Sequence, residues 1–203
     1  MTRTAGNYVN YTYDPAGQLL KALGAEAGGV TNRGMEQLSY DYDGAGNLNY
    51  RTNNALIEQF NVNDLNELTN QTRSGTLTVA GATTSVATNV TVNSTMAALY
   101  SDATFSEGGF TVANGSNSFT AIAKDMYERL ATNAITVNLP LTNTFAYDLN
   151  GNLTNDGTRN YAYDDDNELI SVSVANVWSN SFAYDGLMRR RIELDYNSIQ
   201  LMK

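Results

Sequence analysis

The sequence contains no cysteine and no histidine. Without thiols there is no disulfide, no cysteine-held zinc and no thiol nucleophile. Without imidazole there is no Ser-His-Asp triad, no imidazole metal ligand and no ordinary general base near neutral pH. Proline occurs only twice and tryptophan once in 203 residues, and only 16% of the residues are charged, against about a quarter in ordinary domains. Acidic residues outnumber basic ones 21 to 12, a formal charge of −9. Such a balance repels phosphate, so neither nucleic acid nor an anionic membrane surface is an expected partner. No apolar run reaches the ~18 residues that would cross a bilayer, so no membrane insertion is expected. The opening MTRTAGNYVNYTYD lacks the apolar core of a secretory signal. Most enzyme chemistry is gone before any motif is read, and no cofactor or metal is called for.

What is present points to strands and turns. The chain holds 26 Asn, 23 Thr, 16 Gly and 13 Tyr. Thr and Tyr suit a half-buried pleated surface. Asn and Gly supply the positive φ that tight turns require. Hydrophobic residues reach 42%, enough for a core, so the low charge does not signify disorder. The best helical stretches, Gln18–Leu23 before Gly24 and Lys124–Ala131, are short. The expected class is all-β.

A repeat organises the chain. An aromatic or apolar residue is followed by Asp or Asn, two spacers, Gly or Asn, one further residue and Leu. The copies are Tyr13-Asp14-Pro15-Ala16-Gly17-Gln18-Leu19, Tyr42-Asp43-Gly44-Ala45-Gly46-Asn47-Leu48 and the degenerate Val62-Asn63-Asp64-Leu65-Asn66-Glu67-Leu68. Later come Tyr147-Asp148-Leu149-Asn150-Gly151-Asn152-Leu153, Tyr163-Asp164-Asp165-Asp166-Asn167-Glu168-Leu169 and Tyr184-Asp185-Gly186-Leu187-Met188-Arg189-Arg190. Phe145 and Tyr147, Tyr161 and Tyr163, and Phe182 and Tyr184 each skip one residue, which puts each pair on one face of a strand. The Asp carboxylate is placed to accept backbone N–H groups two or three residues on. Gly or Asn takes the left-handed position, and Leu opens the outgoing strand on the buried face. Each copy is thus a β-hairpin with a loop of four or five residues. One hairpin cannot bury its aromatic face alone, so such units stack.

These six copies resemble the YD-repeat, or Rhs-repeat, family. The run Phe145–Leu169 follows its consensus over two consecutive repeats, and Tyr184–Arg190 is similar to its Tyr-Asp-x-x-Gly-Arg-Arg variant, with Met188 in place of Gly. The resemblance covers residues 8–73 and 142–203. It implies antiparallel hairpins that form part of a hollow β-shell within a large secreted or cell-surface bacterial protein. Such shells often enclose a C-terminal toxin. It also implies that the main partners are other repeats of the same larger chain, and that the secretion signal lies elsewhere. Some members cut themselves in a segment that closes the shell; no segment here resembles it.

Residues 74–141 carry no Tyr-Asp unit. Leu77 with Val79, Val90 with Val92, Phe119 with Ala121 and Ala123, and Ile135 with Val137 and Leu139 alternate as strands do. Gly81–Ser85, Glu107–Gly109 and Asn114–Asn117 read as turn clusters, and Pro140 as the exit. Five to seven strands in about 65 residues suggest a small antiparallel sandwich, inserted between repeat blocks 1–73 and 142–203. The segment resembles bacterial immunoglobulin-like domains.

No constellation stands out as catalytic. Asp148, Asn150 and Asn152 have the one-three-five spacing of a calcium loop, but Leu153 stands where Gly is needed and Arg159 where a bidentate Glu is needed. Asp164, Asp165, Asp166 and Glu168 form the densest acid cluster; in a turn, consecutive side chains point apart rather than converge. Arg189, Arg190 and Arg191 alternate faces, which favours pairing with strand carboxylates such as Glu193 or Asp195 over one anion patch. The tyrosines and Trp178 are a candidate sugar-stacking platform, although a Tyr fixed by the repeat suits packing better. Lys21, Lys124 and Lys203 are the only bases for a serine dyad, and nothing marks one as buried. A carboxylate glycosidase would require two convergent carboxyl groups about 5–10 Å apart. The expected role is therefore structural and non-catalytic. The alternative is a carbohydrate- or protein-binding module acting through the insertion. Exposed strand edges would invite self-association.

Overall fold

The computed structural model describes residues 5–197 and 200–202, and among these there is no helix. The described residues form twenty strands, all paired antiparallel where register is defined. Strands β1 (Tyr8–Tyr13), β2 (Leu19–Ala25), β3 (Asn32–Tyr42), β4 (Leu48–Asn53), β5 (Leu56–Val62) and β6 (Leu68–Ala82) come first. Next are β7 (Asn89–Val92), β8 (Thr95–Met96), β9 (Ala98–Leu99), β10 (Thr104–Thr111), β11 (Gly115–Lys124), β12 (Leu130–Leu139) and β13 (Thr142–Thr144). The last seven are β14 (Ala146–Tyr147), β15 (Leu153–Asn155), β16 (Asn160–Tyr163), β17 (Leu169–Val174), β18 (Trp178–Tyr184), β19 (Arg190–Asn197) and β20 (Gln200–Met202).

The chain divides into two compact units. Unit 1 comprises 1–60 and 72–142; unit 2 comprises 61–71 and 143–203. β6 runs unbroken through positions 73 and 74, where the sequence pattern changes.

In unit 1 one sheet has the order β1-β2-β3-β4-β5-β6-β10-β9, and a second has the order β12-β11-β7-β8. The core lies between them. Val90 and Val92 are fully buried, with Ala97, Phe105 and Phe119 nearly so; Leu77, Val79, Phe110 and Val137 pack around them. Fully burying a valine or phenylalanine side chain, as at Val90, Val92, Phe105 and Phe119, contributes about 1.5–3 kcal/mol. The sandwich strands read from 74–141 supply this core, and the first sheet also carries the β1–β5 hairpins. In unit 2 the strands β14 to β20 follow one another in chain order.

Every repeat copy builds the same corner. Tyr13, Tyr42, Val62, Tyr147, Tyr163 and Tyr184 each end a strand. Leu19, Leu48, Leu68, Leu153, Leu169 and Arg190 each open the next. The opening leucines are half-buried rather than fully covered.

The two short helical stretches are strands instead. Leu19–Ala25 is β2, because Leu19 must pair with Tyr13 across the corner and two isolated helical turns cannot nucleate. Lys124 ends β11 and Leu130 opens β12, with a turn between. Asp125 there caps a hairpin, not a helix, and Glu128 at φ 63 cannot continue a helix. Gly108 and Gly109 are likewise not a turn: they form a bulge inside β10, where the register with β6 shifts between Glu107 and Phe110.

Candidate functional site

The corners carry the repeated chemistry. In copy two the Asp43 carbonyl accepts the Gly46 N–H (3.0 Å), and the Asp43 N–H donates to the Asn47 carbonyl (2.9 Å). The same pair of bonds closes the corners at Asp14, Asn63, Asp148, Asp164 and Asp185. This is a type I turn whose last residue is left-handed, the three-residue hairpin loop with a glycine bulge. Gly17, Gly46 and Gly151 sit at φ 82 to 87, and Asn66, Asn167 and Met188 at φ 59 to 61. Pro15 takes the second turn position, which its fixed φ favours.

The acidic side chain closes the corner a second time. Asp43 Oδ1 accepts the N–H of Ala45 and of Asn47, both at 2.9 Å, and Oδ2 accepts the Asn47 amide at 3.0 Å. Asp148 repeats all three bonds with Asn150 and Asn152. The acceptor reaches two and four residues on, not two and three, because the left-handed residue turns its own N–H to the backbone carbonyl. Hydrogen bonds from Asn47 hold the Asp43 carboxyl below its ordinary range, and those from Asn152 do the same for Asp148.

The repeated tyrosine does more than pack. The Tyr42 hydroxyl donates to the Leu19 carbonyl (3.1 Å), and that of Tyr184 to the Leu169 carbonyl (3.0 Å). At Tyr147 the polarity is reversed: the Leu68 backbone donates to the tyrosine oxygen. Each hydroxyl ties one corner to the first outgoing residue of the preceding copy. Tyr42→Phe and Tyr184→Phe are each expected to lower stability by about 0.5–1.5 kcal/mol, read from urea midpoints. Midpoints unchanged in both would show that the ring alone matters.

A seventh corner lies where no Tyr-Asp unit stands. Lys124-Asp125-Met126-Tyr127-Glu128-Arg129-Leu130 keeps only the Asp and the Leu. Asp125 Oδ1 still accepts the N–H of Tyr127 (2.8 Å) and Arg129 (3.0 Å), and Glu128 takes the left-handed position.

Most of the remaining candidates from the sequence are engaged in corner or strand contacts. Asp148, Asn150 and Asn152 are engaged in their corner, with Asn150 and Asn152 also donating to Asn167. In the acid cluster, Asp164 caps Asp166 and Glu168. Burial, with the charges of Asp164, Asp166 and Asp185, pushes the Glu168 carboxyl up. Among the described residues no three acidic side chains are placed to hold a metal ion. Arg189 forks onto Asp185 (2.8 and 3.0 Å), Arg190 pairs with Glu193 (3.0 Å), and Arg191 reaches Asp185 at 4.0 Å. The run thus turns to the cap Asp185 and to Glu193 rather than to Asp195. Trp178 is half-buried in β18. Lys21 is exposed and Lys124 is paired with Glu128; Lys203 lies outside the described residues.

Sequence reasoning misses two buried ion clusters in unit 1. Arg33 is 1% exposed. Its guanidinium binds Glu26, Glu36 (3.1 Å), Asp102 (2.8 Å) and the Thr104 hydroxyl (2.9 Å), and lies 4.8 Å above the Tyr100 ring. The fully buried Asn7 donates to Asp102 (2.9 Å). The Tyr100 hydroxyl accepts the Gly34 N–H and bonds Ser106, both at 2.7 Å. Glu58, 5% exposed, bridges Arg51 and Arg73, and Arg73 also donates to the Pro140 carbonyl (2.8 Å). Arg33 stands between acids at Glu26 and Glu36, a weak local signal; Asp102 is 69 residues away and carries none.

Three carboxylates therefore do converge, but on an arginine. For Asp102, burial opposes the charged form and is outweighed by hydrogen bonds from Thr104, Arg33 and Asn7. For Glu26, burial is outweighed by Ser101 and Arg33. Both are held below the carboxylate range, whereas a glycosidase acid must be raised. A carboxyl depressed by folding adds stability that is full above its unfolded pKa and lost as pH falls. The melting temperature is thus expected to drop below about pH 4. Asp102→Asn is expected to melt lower at neutral pH and to show a shallower acid limb. Parallel acid limbs would contradict this.

Unit 1 also contains a cleft of 560 Å³ between its two sheets. β6 (Val79–Ala82) and Phe105 form one wall, and Val90, Phe119, Ala121 and Ala123 another. Ala131, Asn133 and Ile135 of β12 line the mouth.

No family model matches this chain, and no curated protein matches it. Solved structures similar to this chain include those titled crystal structures of TcdB2-TccC3-Cdc42 and of TcdB2-TccC3-TEV. Their identities to this chain are 14% and 15%, with TM-scores of 0.31 and 0.30. The alignments cover 97% and 93% of this chain but 10% of each of those, so this chain spans about a tenth of their length.

Proposed function

We propose that this chain is a non-catalytic structural segment of a larger secreted or cell-surface YD-repeat protein, contributing hairpins to a β-shell of the kind that encloses a C-terminal toxin. The observation that carries this reading is the identity of the six corners: the same two backbone bonds, a left-handed residue at the same place, and strands that follow in chain order. The acidic residues that open the corners accept hydrogen bonds from their own turns, which supports a folding role for them. Other repeats of the larger chain are the expected partners, docking on sheet edges such as β1. Light scattering across a concentration series tests this. Mass that rises with concentration is expected of open edges, and a strict monomer throughout would contradict their role as joints.

A second reading is favoured by the cleft between the sheets, which suits a binding module acting through 74–141 on a glycan or a protein. A glycan array probed with the whole chain tests the carbohydrate form of it.

A further inference from the structure

The cleft is where the sandwich lacks a strand. β12 is an edge strand of its sheet. Its residues Ala131, Asn133 and Ile135 pair with Ala123, Ala121 and Phe119, so they share the face that those residues turn to the core. Yet Ile135 is 59% exposed. Nothing in the opposing sheet covers it, because β5 stops short. The Thr76 N–H donates to the Ala55 carbonyl (3.2 Å), and there the β4–β5 turn sends the chain back.

Beyond Thr76, β6 continues for six residues to Ala82 and pairs with β10 on one side. Backbone groups alternate along a strand. The Thr83 N–H points to the β10 side, toward the Ala103 carbonyl, and the Thr76 N–H points away. Thr78, Ala80 and Ala82 therefore turn their N–H and C=O groups to the side away from β10, along the cleft.

The chemistry of the walls selects the occupant. The charged groups of the rim are already satisfied: Lys124 pairs with Glu128, and Arg129 with Asp125. The aromatic rings in the walls, Phe105 and Phe119, are 7% and 6% exposed and offer no face for a sugar to stack on. What remains, beside the hydroxyls of Thr83, Thr84 and Ser85 and the Asn133 amide, is an apolar floor of Val79, Val90, Ala121 and Ala123 next to a row of backbone donors and acceptors repeating every second residue. Another strand matches that pattern.

We propose that unit 1 binds an extended polypeptide segment from a partner protein, uncharged and apolar at alternate positions. It pairs antiparallel with Thr78–Ala82 of β6 and covers Ala131, Asn133 and Ile135. This inference rests on the binding-module reading. The test uses the whole chain, isotope-labelled, with a capped peptide alternating threonine and valine and bearing a lysine at each end. On binding, amide exchange at Thr78, Ala80 and Ala82 is expected to slow at least tenfold, and shift changes are expected at Ile135. A peptide N-methylated at alternate residues is expected to lose at least tenfold in affinity. Ala80→Pro removes one cleft-facing donor and is expected to do the same. If that variant misfolds, the N-methylated peptide still decides. Equal binding of the methylated peptide overturns the proposal, as does protection elsewhere, protection of these amides by a second copy alone, or no binding at millimolar peptide. A glycan bound in the cleft with no peptide binding would sink the strand and leave the binding-module reading standing.

Discussion

Replacing Arg33 with methionine is expected to destabilise unit 1 by about 3–5 kcal/mol, the usual cost of stranding buried charge. The guanidinium is 1% exposed and serves three carboxylates from separate stretches of chain, Glu26, Glu36 and Asp102. Methionine fills much of the volume but leaves those anions facing one another without a cation. Most of the loss would come from that repulsion rather than from the missing bonds. Adding Glu26→Gln and Asp102→Asn to Arg33→Met is therefore expected to recover a large part of the urea midpoint. Arg33→Lys is expected to recover little, because an ammonium cannot span Asp102, Glu36 and the Thr104 hydroxyl together. A triple variant no more stable than the single one would show that the cluster acts by packing alone.

Gly75→Val is expected to cost about 3 kcal/mol or more, for two separate reasons. Gly75 sits at φ +82, where a β-branched residue is strained. A Cβ there would also overlap the Ala55 carbonyl oxygen, which accepts the Thr76 N–H. Neither the backbone atom nor the hydrogen bond can give way without parting β5 from β6. Gly44 offers the contrast within the same chain. A methyl group on its Cα would meet no other atom within 4 Å, and its φ is ordinary, so Gly44→Ala is expected to stay within about 0.5 kcal/mol of the parent. If Gly75→Val melts with Gly44→Ala, the close approach of Ala55 is wrong.

The corners are legible in the sequence because their causes are local. Asp, a left-handed Gly or Asn, and Leu at fixed spacing define a turn whose bonds lie within five residues, and the structure places all six there. The seventh, at Asp125, is hidden because Lys124 and Glu128 replace the two most recognisable positions and read instead as helix formers. The tyrosine reads as packing; its bond to the preceding leucine backbone depends on how copies stack, which one copy does not reveal. Arg33 and Glu58 are out of reach for the same reason, since Asp102 joins Arg33 only after the sheet forms. The strands of 74–141 are visible in alternation, but the open mouth beside β6 follows from where β5 ends.

Carboxyl titration by carbon-13 resonance bears most directly on whether these acids are caps. Asp43, Asp125, Asp148 and Asp185 should all titrate below the ~3.9 of a free aspartate, since each accepts hydrogen bonds within its own corner, at Asp125 against the opposing pull of burial. Values at or above that for the set would mean that the motif holds its acids for something other than folding.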